Sequence, residues 1–267
     1  MKLTVLTENT ACSPELKAVH GLSVHLETGG HQILMDVGPG REFLENAKVL
    51  GVDISNVELC AISHGHDDHG GGLGLFLEEN KGAKVYLSDL AFGDYFSGTR
   101  YIGLNKTLAG NERIIAVDEM VSPMEEVTLL GKIPGDTLLP AANGNLMESG
   151  GADRFLHEIV MLVEEDGYLL LLGGCAHRGI VNILEHTKKT LGRYPDGVVS
   201  GLHISAGPSG ILKADDAYLD ALSEKLLSTG AMFYSCHCTG EEGLRKLKER
   251  MGDRLTAVSA GTVLTLQ

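Results

Sequence analysis

No stretch of this sequence is apolar for long enough to cross a bilayer, which takes about 20 residues; the most apolar run is the short Tyr168–Leu172 segment. The opening MKLTVLTENT has neither the apolar core nor the small-residue cleavage site of a secretory leader. Cysteine is too sparse and too oddly numbered for a disulfide framework: there are five, Cys12, Cys60, Cys175, Cys236 and Cys238. Together these absences predict a cytoplasmic chain with free or metal-bound thiols and no membrane partner. Positive charge is also short, with 22 Lys and Arg against 36 Asp and Glu, a net of -14. Such a surface repels a polyphosphate backbone, so nucleic acid is excluded as a general partner, although a local basic pocket stays compatible with it. There is no low-complexity run. At 43% hydrophobic and 22% charged, the 267 residues suit a sizeable globular core. What the chain does have in quantity is histidine, eleven in all.

Strand and helix signals run twice through a similar order. A short apolar strand is predicted at residues 3–6, followed by a hairpin whose arms, 21–27 and 32–37, flank the turn pair Gly29-Gly30. Residues 41–50 carry Phe43, Leu44, Ala47 and Leu50 at helical spacing, with Gly51 as the stop. A nearly continuous apolar strand at 57–62 leads to a helix at 73–79 and a strand at 83–87. The middle, about 89–151, is turn-rich, with short strands at 113–117 and 127–130. Strands at 158–164 and 168–172 then enclose the Glu165-Asp166-Gly167 turn. They are followed by a helix at 180–191, a strand at 197–202, a helix at 217–227, a strand at 231–235, a charged amphipathic helix at 241–251 and a last strand at 258–264. Strands early and helices late, twice over and with no linker, predict an α/β (α+β) fold. Two sheets pack face to face with helices outside, a four-layer αββα sandwich forming one domain over residues 1–267.

The densest chemistry is Ser63-His64-Gly65-His66-Asp67-Asp68-His69, directly after the 57–62 strand. Three imidazoles and an aspartate crowd into six positions, 64–69, and supply the nitrogen and oxygen donors that a borderline divalent cation such as zinc prefers. Glycines at 65 and 70–72 let the backbone fold tightly enough to converge them. Asp67 reads as a supporting or solvent-facing group. A lone histidine is ordinarily a surface or core residue; four donors in this order predict a metal site.

His64-x-His66-x-Asp68-His69 resembles the HxHxDH signature of the metallo-β-lactamase superfamily, and Leu34-Met35-Asp36-Val37-Gly38 resembles its apolar-Asp-x-Gly strand end. The resemblance implies that His64 and His66 hold a first cation and Asp68 and His69 a second, with Asp36 supporting the loop. The pair would be zinc, with iron or manganese as alternatives. Glu8-Asn9, His20-Gly21-Leu22-Ser23, the Gly174–Asn182 run Gly-Cys-Ala-His-Arg-Gly-Ile-Val-Asn and His237-Cys238-Thr239-Gly240 extend the resemblance along the chain. They are similar to one subgroup, the archaeal dihydropteroate synthase-like enzymes called 7,8-dihydropterin-6-methyl-4-(β-D-ribofuranosyl)-aminobenzene-5'-phosphate synthases.

In such a sandwich His177 completes the first cation's ligands and His237 the second's, each just past a strand end; the alternative for each is a histidine capping the next helix. His157 is a rival ligand. Cys175 stands where the superfamily's bridging aspartate is expected. Its thiolate could bridge or bind one cation, but the preferred reading is a buried, non-bridging cysteine. His203, at the end of the 197–202 strand, is expected at the substrate as a contact or proton donor. Arg178 is expected either to offer a bidentate fork to a phosphate or carboxylate or to be a plain surface arginine. Cys236 and Cys238 lack the second close pair that a zinc ribbon needs and read as packing residues.

Three functions stay open. The leading one is a metal-dependent hydrolase using a metal-activated water on a small phosphorylated or carboxylated substrate, with Asp68 orienting the water and His203 protonating the leaving group. The second is a transferase condensing a dihydropterin pyrophosphate with an aminobenzoate-type acceptor. The third is a di-iron redox or binding protein.

Overall fold

The computed structural model describes all 267 residues. Strand β1 (Lys2–Thr7) pairs antiparallel with β2 (Ser23–Thr28), and β2 with β3 (His31–Met35). Gly29 and Gly30 both take positive φ, 55° and 85°, the backbone twist that a two-residue hairpin demands. From β3 the pairing turns parallel, through β4 (Leu59–Ala61) and β5 (Lys84–Ser88) to Ile114–Val117. Helix α1 (Glu42–Leu50) crosses from β3 towards β4 and stops at Gly51, whose φ of 73° is the left-handed cap. The short α2 (Asp67–Gly70) and α3 (Leu73–Glu79) cross from β4 to β5.

The second sheet runs Leu255–Ala257, Met232–Ser235, Gly197–Ser200, Tyr168–Leu172, Val160–Glu165, Val127–Leu130 and Met120–Met124. Its first four strands are parallel, with α4 (Ile180–Leu191), α5 (Asp216–Ser228) and α6 (Glu241–Met251) as crossovers. Leu3, Val24, Met35, Met161, Leu172 and Val199 belong to a single apolar layer between the sheets. A second layer packs α4, α5 and α6 on the outer face of this sheet, and a third packs α1 and α3 on the first. The result is the expected αββα sandwich of two mixed sheets flanked by helices.

Two expectations change. The strand expected at 258–264 is two strands: Leu255–Ala257 closes the second sheet, and Val263–Thr265 crosses over to pair with β1. Gly261, at φ 91°, makes the turn, and its N–H donates to Val5 O at 2.8 Å while Ala260 N–H donates to Thr10 O at 2.9 Å. The turn-rich middle is also more ordered than its composition suggested. Tyr95–Ser97, Arg100–Tyr101, Leu146–Glu148 and Gly151–Ala152 form a small antiparallel sheet of their own. It caps the end of the sandwich where the parallel strands finish.

That end matters because ligands of open parallel sheets bind beyond the carboxyl ends of the strands. Asp36 follows β3, Ser63 to His69 follow β4, Cys175 and His177 follow Tyr168–Leu172, His203 follows Gly197–Ser200, and His237 follows Met232–Ser235. Close approach at this end requires glycine. A Cβ on Gly65 would collide with the Ala91 carbonyl oxygen and lie 2.7 Å from the Tyr95 ring, neither of which is a flexible chain end. Gly65→Ala is therefore expected to lower stability by about 1–3 kcal/mol through overpacking. Gly110→Ala, with nothing within 4 Å of its added methyl group, is expected to leave the denaturant midpoint nearly unchanged. Equal midpoints for the two variants would contradict this packing.

Candidate metal centre

Asp36 sets the geometry. It follows β3 at φ 63° and is fully buried. Its carboxylate accepts the Ser63 N–H at 2.7 Å, the Ser63 hydroxyl at 2.8 Å and the His69 Nδ1–H at 2.7 Å. The Ser63 hydroxyl, committed to Asp36 as donor, accepts from His64 Nδ1 at 2.9 Å. One carboxylate thus fixes two ring orientations and leaves Nε2 of each histidine to face the interior. The same device recurs with amides. His177 Nδ1 donates to Asn143 Oδ1 at 2.9 Å, and His237 Nδ1 donates to Asn9 Oδ1 at 2.8 Å. The His177 and His237 backbone N–H groups are gripped by buried glutamates, Glu158 and Glu8, at 2.7 Å each.

The Nε2 atoms so aimed form two adjoining groups. Donor atoms of His64, His66 and His177 lie within 4.8 Å of one another, and all three Nε2 atoms are buried without a protein hydrogen bond. An unmet buried acceptor costs about 1–3 kcal/mol, so three facing one point fit a shared cation. In the second group His69 Nε2 lies 3.2 Å from His237 Nε2, and His237 Nε2 lies 3.3 Å from Asp68 Oδ2. The structure therefore brings together all six residues proposed from sequence as ligands. The nitrogen-rich donor set, with one carboxylate, suits zinc-like cations over magnesium or calcium.

His157 does not join them. Its Nδ1 accepts the Gly65 N–H at 2.9 Å and its Nε2 donates to Asp153 at 3.1 Å, so both nitrogens are committed to holding the loop. Cys175 sits closer to the donors than a packing residue does. Its thiol is 3.2 Å from His69 Nε2, and it falls within ligand distance of both groups. Cys238 lines the cavity, its sulfur accepting the His203 N–H at 3.2 Å, while Cys236 lies in the inter-sheet core.

His203 faces the cavity beside His177, ring centroids 4.1 Å apart, with both ring nitrogens free of protein partners. Arg178 corrects an expectation. Its guanidinium donates to the carbonyls of Ile133, Arg154 and Gly135, outside the cavity lining, so it braces the loops and presents no fork to a ligand. The arginine that does line the cavity is Arg100, carried by the cap and paired with Asp67. Nothing in the sequence singled out Arg100, Asn143 or Glu158, and Glu8-Asn9 stood out only as part of the resemblance, with no role attached. The cavity holds about 220 Å³, room for a small substrate.

A superfamily profile for the metallo-beta-lactamases matches residues 16–93, which carry Asp36 and the whole His64–His69 loop. The solved structure of Tm1679, a metal-dependent hydrolase of the beta-lactamase superfamily, superposes on all of this chain and 99% of its own with a TM-score of 0.84 at 29% identity. The chain thus carries the metallo-beta-lactamase profile over residues 16–93 and shares the fold of a structure of that superfamily over its full length. Two proteins of Methanocaldococcus jannaschii are also similar over nearly their full lengths. The uncharacterized protein MJ0448 is 27% identical over 256 residues, covering 92% of this chain and 94% of the relative. A 7,8-dihydropterin-6-methyl-4-(beta-D-ribofuranosyl)-aminobenzene-5'-phosphate synthase is 26% identical over 273 residues, covering 92% and 89%. No helix of the chain is long and apolar enough to cross a membrane.

Protonation in the metal-free protein follows from burial and charge. Desolvation pushes His66 down to about 4 and His64 and His177 well below the ordinary histidine range. For His69 burial also opposes the cation, but Asp36 and Asp68 outweigh it and push it up to about 9. The depressed histidines contribute stability above pH 6.5 that is lost as the unfolded chain takes up protons below it, roughly 3 kcal/mol for His66 alone. His69 contributes stability below pH 6.5 that is lost as pH rises through about 9. Glu158, pushed up to about 7 by burial, works against the histidines between 4.5 and 7, one group against three. The melting temperature of chelated protein is accordingly expected to fall from neutrality towards pH 5. A flat profile between pH 5 and pH 7 would contradict these environments.

Proposed function

We propose that the chain is a hydrolase with two divalent cations, zinc by donor chemistry, acting on a small phosphorylated or carboxylated substrate. The observation that carries this reading is the set of buried, partnerless Nε2 atoms of His64, His66 and His177 beside the Asp68, His69 and His237 donors, four of which, His66, Asp68, His177 and His237, line one cavity. Bound there, a cation pair supplies Lewis acidity and brings the pKa of a coordinated water near neutrality. The chain's own residues do the rest. Asp68, held ionised by His69, His20 and His237 against the opposing effect of burial, binds and orients at the second position. His203, with both nitrogens unengaged, is placed to pass a proton to a leaving group. The cap is seated on the metal loop: Ile102 O, next to it, accepts the Asp67 N–H at 2.7 Å. Arg100 is the only Lys or Arg lining the cavity and is the residue available for an anion contact there.

A synthase is the second reading, favoured by the similarity to the Methanocaldococcus jannaschii enzyme over 92% of this chain. Its acceptor is an arylamine in place of water. One experiment separates the two. The zinc-loaded protein is incubated with phosphate-ester and carboxylate-ester panels and, separately, with a dihydropterin pyrophosphate plus an aminobenzoate. Chelator-sensitive hydrolysis without condensation supports the first reading, and a condensed product with pyrophosphate release supports the second.

With the active substrate in hand, His203→Gln is expected to lower kcat about 100-fold or more while both cations stay bound. Arg100→Gln is expected to raise KM about 10-fold or more with little change in kcat, the loss of a charge-assisted hydrogen bond. Steady-state kinetics with metal analysis checks both. A His203→Gln variant at full kcat would remove the proton-donor role.

A further inference from the structure

His20 belongs to none of the elements that position the other donors. It lies in the irregular segment between β1 and β2, yet it lines the same cavity. We infer that His20 is a ligand of the second cation, completing a set of His20, Asp68, His69 and His237; the inference rests on the two-cation reading above.

The fold fixes His20 with more care than a surface histidine requires. The Leu22 N–H donates to the Asp68 carbonyl at 3.3 Å, and the Gly38 N–H donates to the Leu22 carbonyl at 3.0 Å, pinning the segment between β3's end and the metal loop. Gly21 packs so closely that a Cβ would strike the Asp68 carbonyl oxygen and approach Pro39 Cδ to 2.6 Å. Asn9 ties the segment to the far side of the site. Its Oδ1 receives the Gly21 N–H at 3.4 Å and His237 Nδ1–H at 2.8 Å, and its Nδ2 donates to the His237 carbonyl at 3.2 Å. One carboxamide therefore sets the spacing of the His20 and His237 rings, whose centroids lie 4.6 Å apart.

The donor distances match those of ligands sharing one cation. His20 Nε2 is 3.2 Å from Asp68 Oδ2, and His237 Nε2 is 3.3 Å from the same oxygen. The donor atoms of the three residues lie within 4.8 Å of one another. A charge-assisted N–H···O bond is shorter, about 2.7–2.9 Å. Ligands held at about 2.0–2.1 Å in a tetrahedron stand about 3.3 Å apart, as do His20 from Asp68, His237 from Asp68, and His69 from His237 at 3.2 Å, while His69 stands 4.0 Å from Asp68. Three imidazoles and one carboxylate make a set for cobalt, zinc or ferrous iron.

Cobalt(II) is the probe. In crystals of the full chain loaded with cobalt, anomalous scattering is expected to show a peak about 2.1 Å from His20 Nε2 as well as from the donors of Asp68, His69 and His237. In solution, His20→Ala is expected to keep the first equivalent at wild-type affinity. The second should be weakened beyond about 100-fold, more than loss of an outer hydrogen-bond partner causes, with an altered visible absorption band. His20→Gln, which can still donate to Asp68, is expected to show the same loss. A second peak more than about 3 Å from His20, or a His20→Gln variant that binds both equivalents like wild type, overturns the ligand and leaves the two-cation reading standing. Absence of both peaks overturns the two together.

Discussion

A buried carboxylate, Asp36, holds the site in shape, and most of the functional geometry depends on it. It is fully enclosed, and it accepts a backbone N–H, a hydroxyl and an imidazole N–H at 2.7–2.8 Å. An unpaired buried carboxylate is too costly to keep ionised, so the three donors and the charge are held together or lost together. Because the Ser63 hydroxyl gives its proton to Asp36, it can only accept from His64, and both His64 and His69 turn Nε2 towards the cavity. Asn143 and Asn9 impose the same orientation on His177 and His237 from loops distant in sequence. The protein thus spends one nitrogen of each ring on rigid partners and leaves the other to a cation.

Position in the fold explains why these partners meet. In both sheets the site residues follow the carboxyl ends of parallel strands, so the two halves deliver their loops to one rim of the sandwich. The small four-stranded cap then closes that rim, bringing Asn143 to His177 and Arg100 to Asp67. Burial behind the cap is what depresses His64, His66 and His177. A cation there must compete with few protons at neutral pH on the first group, but must displace one from His69 on the second.

Much of this was readable from residues in order. The Gly29-Gly30 turn, the alternation around it and the apolar run before Ser63 mark β2, β3 and β4, because their signals are local and periodic. The His64–His69 donors are legible for the same reason: they are neighbours in the chain. What sequence order hides is contact at long separation. Nothing in Glu8-Asn9 shows that they grip His237, 228 residues or more away. Nothing at Asn143 shows that it orients His177. Arg178 looked like an anion receptor because it adjoins His177, yet the loop turns its guanidinium onto three carbonyls. The end of the chain misled for a related reason: an apolar run at 258–264 gives no sign that it changes sheets at Gly261.

The central claim is that the imidazoles converge on cations and not on one another. Calorimetric titration of chelated protein with zinc at neutral pH, repeated in buffers of different ionisation enthalpy, tests it most directly because it counts both cations and released protons. Two equivalents per chain are predicted, with proton release accompanying the step that involves His69, and loss of the first equivalent when His64 and His66 are both replaced by alanine. Less than one equivalent bound, or undiminished binding in that double variant, would contradict the account.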